Sequence, residues 1–155
     1  MATKPTHEQA QLHLQVYDLR REARLRQARD WFQQHYNVQT FEEAMKFMQP
    51  DSEGGTYIGM VIGYWEQACA LLNYGLLHEG LFFETSGEFF NVWEKLRKVA
   101  PEFRKKFGDK HMLENLEKAA DRYEAWAERR SPGSIAKMRD LMKQASTPTA
   151  KAANR

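Results

Sequence analysis

The sequence has a single cysteine, Cys69, and it lacks the residue patterns of several chemistries. One cysteine cannot form a disulfide within the chain, and it is too few for a structural zinc site. None of the five histidines follows a glutamate by three residues, as the di-iron bundles require, and no His-Glu-x-x-His motif occurs. We therefore predict no catalytic, metal or cofactor site, and the hypothesis is that the chain is not an enzyme.

Two further absences concern location and fold class. The N-terminal residues contain neither the apolar segment of a secretion signal nor a lipidation motif, which together with the lone cysteine predicts a reducing, cytoplasmic setting. No segment alternates apolar and polar residues for long enough to predict a strand. The predicted fold class is all-α, a helical bundle of about six helices.

The most apolar segment of the chain lies between residues 56 and 81. Apolar residues at a helical period surround most of its circumference, so we predict a central helix over about 56–77 that other helices enclose. Its length would allow a membrane span, but Glu66 and Asn73 are polar groups that are costly inside a bilayer. We therefore predict that the segment does not span a membrane.

One strip of this central helix is small or polar throughout. Its members follow steps of four, three, four and three and so share a face: Gly59, Gly63, Glu66, Ala70 and Asn73. The strip is a narrow solvent-facing edge, or a groove where the glycines let a second helix approach closely while Glu66 and Asn73 find partners there. A third interpretation is a buried carboxylate that lines a ligand cleft, since an interior glutamate is costly unless it is paired.

A long N-terminal helix is predicted over about 7–36. A capping box begins at Thr6, and the helical pattern continues from there without proline or glycine. The helix has apolar seams on two faces, so either both neighbours belong to this chain or one is a second copy. The first seam is the candidate interface, and it consists of Leu12, Val16, Leu19 and Ala23. The second seam consists of Leu14, Tyr17, Leu25, Ala28, Phe32 and Tyr36.

The rest of the chain is predicted to form shorter helices. Capping-box spacings begin at Thr40 and Thr85, and Gly54 and Gly55 are interpreted as part of a turn before the central helix. A single helical domain is predicted over 1–145. From residue 146 the composition changes to small and polar residues, which predicts a disordered C-terminal tail over 146–155.

The formal net charge of +2 is unevenly distributed, since residues 37–92 carry −7 and residues 93–155 carry +7. The basic C-terminal half is a candidate for weak nucleic-acid binding. The sequence argues against this alternative, because acidic residues are mixed with the basic ones. The arginines of the N-terminal helix likewise spread around its circumference and form no stripe that could follow a phosphate backbone.

Aromatic residues near the central helix give a second alternative, a pocket beside Glu66 for a small apolar or aromatic ligand. At helical spacing such residues more often form plain core. They are Trp31, Trp65, Phe82, Phe83, Phe89, Phe90 and Trp93.

The order of several residues resembles an uncharacterised bacterial all-helical family, domain of unknown function 4760. The resemblance covers about residues 30–127 and rests on Trp65-Glu66, Leu71-Leu72, Gly75-Leu76-Leu77, Leu81-Phe82, Trp93 and Arg104. It implies an all-helical fold and a structural pair formed by Glu66 and Arg104, and it implies no activity. Many members of that family place a membrane-spanning helix ahead of the domain, where this chain has its arginine-rich helix.

The function favoured by these observations is that of a non-catalytic helical interaction or scaffold module. Its partner is predicted to be a second copy of the chain, as a dimer, or another protein. The candidate interface is the first seam, Leu12 to Ala23. The candidate ligand-binding or structural polar site consists of Glu66, Asn73 and Arg104.

Overall fold

The structure, a computed structural model, describes residues 3–146. Over that range the chain forms nine α-helices and no strand, which confirms the predicted all-α fold. The helices are α1 (His7–Arg20), α2 (Ala23–His35), α3 (Phe41–Phe47), α4 (Glu53–Asn73), α5 (Glu79–Thr85), α6 (Glu88–Leu96), α7 (Ala100–Phe107), α8 (Glu114–Arg130) and α9 (Ser134–Ser146).

The contacts of the chain cluster into two compact units, the first up to Ala120 and the second from Asp121. The boundary falls inside α8. The single domain expected over 1–145 remains a prediction. Ser146 is the last residue of α9, and the rest of the predicted tail, residues 147–155, lies outside the described residues.

The apolar helix predicted at the centre of the chain is α4, the longest helix among the described residues. Seven of its side chains are buried: Tyr57, Ile58, Val61, Trp65, Ala68, Cys69 and Leu72. Burial of this many large apolar groups is the main favourable term in folding of the first unit. No helix in the described part of the chain is long and apolar enough to cross a membrane, as predicted.

The start of α4 differs from the prediction, because Gly54 and Gly55 lie in its first turn and do not form a separate turn. The Ser52 hydroxyl accepts a hydrogen bond from the Gly55 N–H at 3.0 Å and so caps the helix. The Trp31 ring packs directly on Gly54, where a Cβ atom would lie 2.8 Å from two of its ring carbons. Glycine at residue 54 therefore allows α2 to approach α4 closely.

The single helix predicted over about 7–36 is corrected to two helices, α1 and α2, with a break at Arg21 and Glu22. The Glu22 carboxylate accepts hydrogen bonds from the N–H groups of Arg24 and Leu25 at 3.0 and 2.8 Å, which caps α2. The Arg26 guanidinium donates to the Arg21 carbonyl at 3.0 Å. Charged side chains thus satisfy the backbone groups at the break, and neither glycine nor proline is needed.

The break divides the second predicted seam between a buried half and an exposed half. In α2 its residues Leu25, Ala28 and Phe32 are buried. In α1 its residues Leu14 and Tyr17 are exposed. Since one straight helix would keep a seam on one face, the change of direction at the break is what turns the α2 half towards α4.

The aromatic residues predicted near the centre form a packed core. Ring centroids of Phe82 and Phe89 are 5.2 Å apart, and those of Trp65 and Phe89 are 6.3 Å apart. Distances in this range are typical of favourable aromatic pairs. The members that are buried are Trp65, Phe82, Phe83, Phe89, Phe90 and Trp93, while Trp31 is half-buried.

Two glycines of α4 give a matched stability test. Gly54→Ala should destabilise the protein by about 1 to 3 kcal/mol, because the new methyl group overlaps the Trp31 ring. Gly63→Ala should stabilise it by up to about 1 kcal/mol, because residue 63 is exposed in a helix with no atom within 4 Å of the new Cβ. Urea unfolding monitored by circular dichroism measures both, and equal effects of the same sign would contradict the Trp31–Gly54 contact.

Candidate functional site

The small and polar strip of α4 is divided into an open half and a packed half. Gly59 and Gly63 are exposed, and no atom would lie within 4 Å of a Cβ placed on either. Glu66, Ala70 and Asn73 are half-buried. The two glycines therefore form a solvent-facing edge, and no second helix from the described part of the chain approaches them as the groove alternative predicted. The partners that this alternative predicted for Glu66 and Asn73 are present, on α8.

The Glu66 carboxylate binds the N-terminus of α8. One oxygen accepts from the backbone N–H and the side-chain amide of Asn115 at 3.1 and 2.9 Å. The other oxygen accepts from the Leu116 N–H at 2.9 Å. An acidic group at this place satisfies N–H groups that have no partner inside the helix and complements the positive end of the helix dipole.

Asn73 reinforces the same contact two turns further along α4. Its side-chain amide donates to the backbone and side-chain oxygens of Asn115 at 3.2 and 3.0 Å. Asn115 therefore bridges Glu66 and Asn73, with its amide nitrogen towards the first and its amide oxygen towards the second. The structure thus brings together two of the three residues predicted for the polar site.

Arg104 contributes to the same region without contacting Glu66. Its Nε donates to the Met112 carbonyl at 2.9 Å, and its Nη2 forms an ion pair with Glu117 at 2.6 Å. The direct Glu66–Arg104 pair that the family resemblance implied is therefore corrected. The Glu66 carboxylate already accepts hydrogen bonds from amides of α8. Arg104 instead fixes the turn before α8 through the Met112 carbonyl.

A half-buried ion cluster joins α1, α2 and α6. Arg29 binds Glu88 through two parallel hydrogen bonds of 2.7 and 2.5 Å, and Arg20 lies 3.4 Å from the same carboxylate. The hydrogen bonds with Glu88 raise the pKa of Arg29. Next to the cluster, burial raises the pKa of Tyr64 to about 12, and its hydroxyl donates to the Val16 carbonyl at 2.6 Å.

Sequence reasoning missed this cluster because it had assigned the arginines to a solvated face with local ion pairs. Glu88 lies 59 residues after Arg29, and no local spacing relates the two. The imbalance between −7 in residues 37–92 and the basic segments on either side was the available signal. This imbalance indicated that oppositely charged segments contact each other, but it did not identify which residues pair.

Lys95 of α6 satisfies the other end of α2. Its ammonium donates to the carbonyls of Gln33 and Tyr36 and to the Asn37 side chain, each at 2.9 Å. A cation is favoured at the carbonyl end of a helix. Burial lowers the pKa of Lys95 to about 8. The carbonyl oxygens oppose this lowering, because they stabilise the charged ammonium group.

The predicted interface seam is only partly available, and the break between α1 and α2 divides it, because Ala23 is the first residue of α2. Val16 is buried and Leu12 is half-buried, whereas Leu19 and Ala23 are exposed. The face of α1 that packs on the protein includes Val16 of this seam. Its contacts are mostly polar, and they come from Gln9, His13, Val16 and Arg20.

The chemistry of these groups is that of helix anchoring. Both Glu66 oxygens, which a ligand would need, already accept hydrogen bonds from α8. The described part of the chain contains no group of three or more histidine, cysteine, aspartate or glutamate side chains that could hold a metal ion. The ligand pocket and the weak nucleic-acid binding remain untested predictions.

Comparison with known proteins gives one match. A family model described as a domain of unknown function (DUF4760) matches residues 5–123, and it therefore extends further towards the N-terminus than the resemblance noted from the sequence. No curated protein and no solved structure matches the chain.

Replacing Glu66 tests its role at the start of α8. Glu66→Ala should lower the free energy of unfolding by about 1 to 3 kcal/mol, because it leaves two part-buried N–H groups of α8 without an acceptor. Gln67→Ala is the control, since Gln67 is exposed and should change stability by no more than about 0.5 kcal/mol. Urea denaturation measures both, and similar small effects would show that Glu66 does not anchor α8.

Proposed function

This chain belongs to the family described as a domain of unknown function (DUF4760), and on that premise we propose that it is a non-catalytic interaction module that pairs with a second copy of itself. The observation that carries the proposal is the orientation of α1. The polar side of this helix faces the protein, and apolar side chains face outward. The burial of Cys69 agrees with a reducing, cytoplasmic setting, which we include in the proposal.

The inward contacts of α1 supply little apolar burial. Only His13 and Val16 of this helix are buried. Gln9 donates to the Gly75 carbonyl at 3.4 Å, and Arg20 pairs with Glu88. A surface helix usually buries an apolar stripe against its own domain, so α1 departs from the common arrangement.

The outward side of α1 carries three large apolar residues. The side chains of Leu14, Tyr17 and Leu19 are 65%, 47% and 61% exposed. Leu14 and Tyr17 lie one turn apart on one flank of the docking face, and Leu19 lies on the other flank. Exposed apolar groups gathered on one helix are typical of a surface that another protein covers.

A second copy of the chain is the partner in this proposal. A two-fold axis allows the same patch to serve both copies, since each copy contributes identical exposed side chains. In an antiparallel pair the helix dipoles also attract each other.

The test of self-association concerns the exposed leucines. The wild-type protein should have a mass of twice 18.2 kDa in light scattering, and Leu14→Glu combined with Leu19→Glu should give 18.2 kDa. The introduced carboxylates would have to be buried without partners in the pair. Leu141→Glu is the control, because Leu141 is similarly exposed on α9 and should leave the mass unchanged. A wild-type monomer up to about 100 µM, a concentration that would populate any micromolar dimer, would contradict the proposal.

A further inference from the structure

Two histidines attach the N-terminal segment to α5. His13 of α1 contacts the Thr85 hydroxyl at the end of α5, with 3.1 Å between Nε2 and Oγ1. His78, the N-cap residue of α5, lies with its Nε2 2.5 Å from the Thr3 carbonyl oxygen. The two contacts hold the N-terminal segment at both ends of the same short helix.

The hydrogen bonds around His13 define its protonation state. The Thr85 hydroxyl donates to the Leu81 carbonyl at 2.7 Å, so it accepts the hydrogen bond from His13. Nε2 of His13 therefore carries the proton. The other nitrogen, Nδ1, is buried and has no hydrogen-bond partner in the described part of the chain. A proton on Nδ1 would be a buried donor without an acceptor, which is costly.

His78 holds the other end of the N-terminal segment. Its Nδ1 accepts from the Leu81 N–H at 3.1 Å and so caps α5. Its Nε2 must then carry the proton that it donates to the Thr3 carbonyl.

The groups around His13 do not offset the cost of a positive charge. The α5 residues in contact with its ring are Phe82, whose ring centroid is 6.5 Å away, and Thr85, and neither is charged. Burial lowers the pKa of His13, and no neighbouring charge contributes to that shift. Among the charged or titratable side chains on the surrounding elements are Glu8 and Arg20 on α1, Tyr64 on α4, Glu84 on α5 and Glu88 on α6. Arg20 and Glu88 pair with each other, and Tyr64 donates to the Val16 carbonyl.

We infer that His13 forms a pH-sensitive latch, which holds α1 against α5 while its imidazole is neutral and releases it when Nδ1 gains a proton. Release is local because α1 buries only one apolar side chain, that of Val16. The other helices that these contacts join are more deeply buried in the first unit. The direction follows from the lowered pKa of His13. The undocked helix takes up the proton more readily, so docking is at full strength above pH 6.5, the ordinary pKa of histidine, and weakens as pH falls below it.

The latch goes beyond the proposed self-association and does not depend on it. Release breaks the contacts of α1 with α5 and also those of Gln9, Val16 and Arg20 with the rest of the first unit. None of these contacts is made by the exposed side chains of the proposed pairing surface, Leu14, Tyr17 and Leu19. Testing the latch in the Leu14→Glu and Leu19→Glu background keeps the two questions separate, because that protein is designed to remain a monomer whether or not the wild type pairs.

Hydrogen–deuterium exchange with mass spectrometry, corrected for the intrinsic rate, provides the test. Between about pH 7.5 and about pH 5.5, protection of α1 amides should fall severalfold, by up to about tenfold, while α4 and α6 amides keep their protection. Unchanged protection of α1 would overturn the latch. A parallel loss in α1, α4 and α6 would also overturn it, since that outcome means global unfolding by acid.

A variant that keeps the hydrogen bond but cannot titrate provides the second arm. In His13→Gln the amide nitrogen takes the place of Nε2. This variant should keep α1 protected at both pH values. His7→Gln is the matched control, because His7 is exposed in the first turn of α1 and should leave the pH response intact. A pH response that survives in His13→Gln would overturn the assignment to His13, and the wild-type measurement stands alone if that variant does not fold.

Discussion

The first unit depends on satisfying the ends of many short helices. Each helix leaves N–H groups at its start and carbonyl groups at its end without partners inside the helix. Here several of these groups are satisfied by charged side chains from distant helices: Glu66 of α4 binds the start of α8, and Lys95 of α6 binds the end of α2. These contacts specify which helix ends meet, which apolar packing alone specifies poorly.

The same principle explains why α1 differs from its neighbours. Helices α2, α4 and α6 bury apolar side chains, and their charged groups finish helix ends or join the Arg29–Glu88 pair. Helix α1 docks through Gln9, His13 and Arg20, and its leucines face outward. A helix held by directional polar contacts is sensitive to the protonation state of the groups that make them. Its apolar side chains remain available to another molecule, because they take no part in docking.

The sequence predicted features that depend on local pattern. The all-α class, the central apolar helix and the caps at Thr6 and Thr40 follow from spacing within a few residues, and the structure has each of them. The cap predicted at Thr85 was wrong, because its hydroxyl is already bonded to the Leu81 carbonyl and to His13 inside the first unit. The capping rule considers only the following residues and cannot detect such a competing partner.

Features that depend on distant pairs could not be predicted in this way. Glu66 was identified as the residue of interest because it is a charge on an apolar helix, but its partner, the start of α8, is set by the turn before that helix. Leu113 has a positive φ of 61° there, a conformation that leucine seldom adopts and that no local pattern predicts. The break between α1 and α2 was missed for a related reason, since a glutamate cap replaced the glycine or proline that usually marks a helix end.

The contact of Trp31 with Gly54 also protects the first turn of α4. The first turn of a helix is ordinarily prone to fraying, because its amides lack partners. In α4 that turn lies beneath an indole ring and next to the Ser52 cap. Fraying of α4 at its N-terminus therefore requires α2 to move away first.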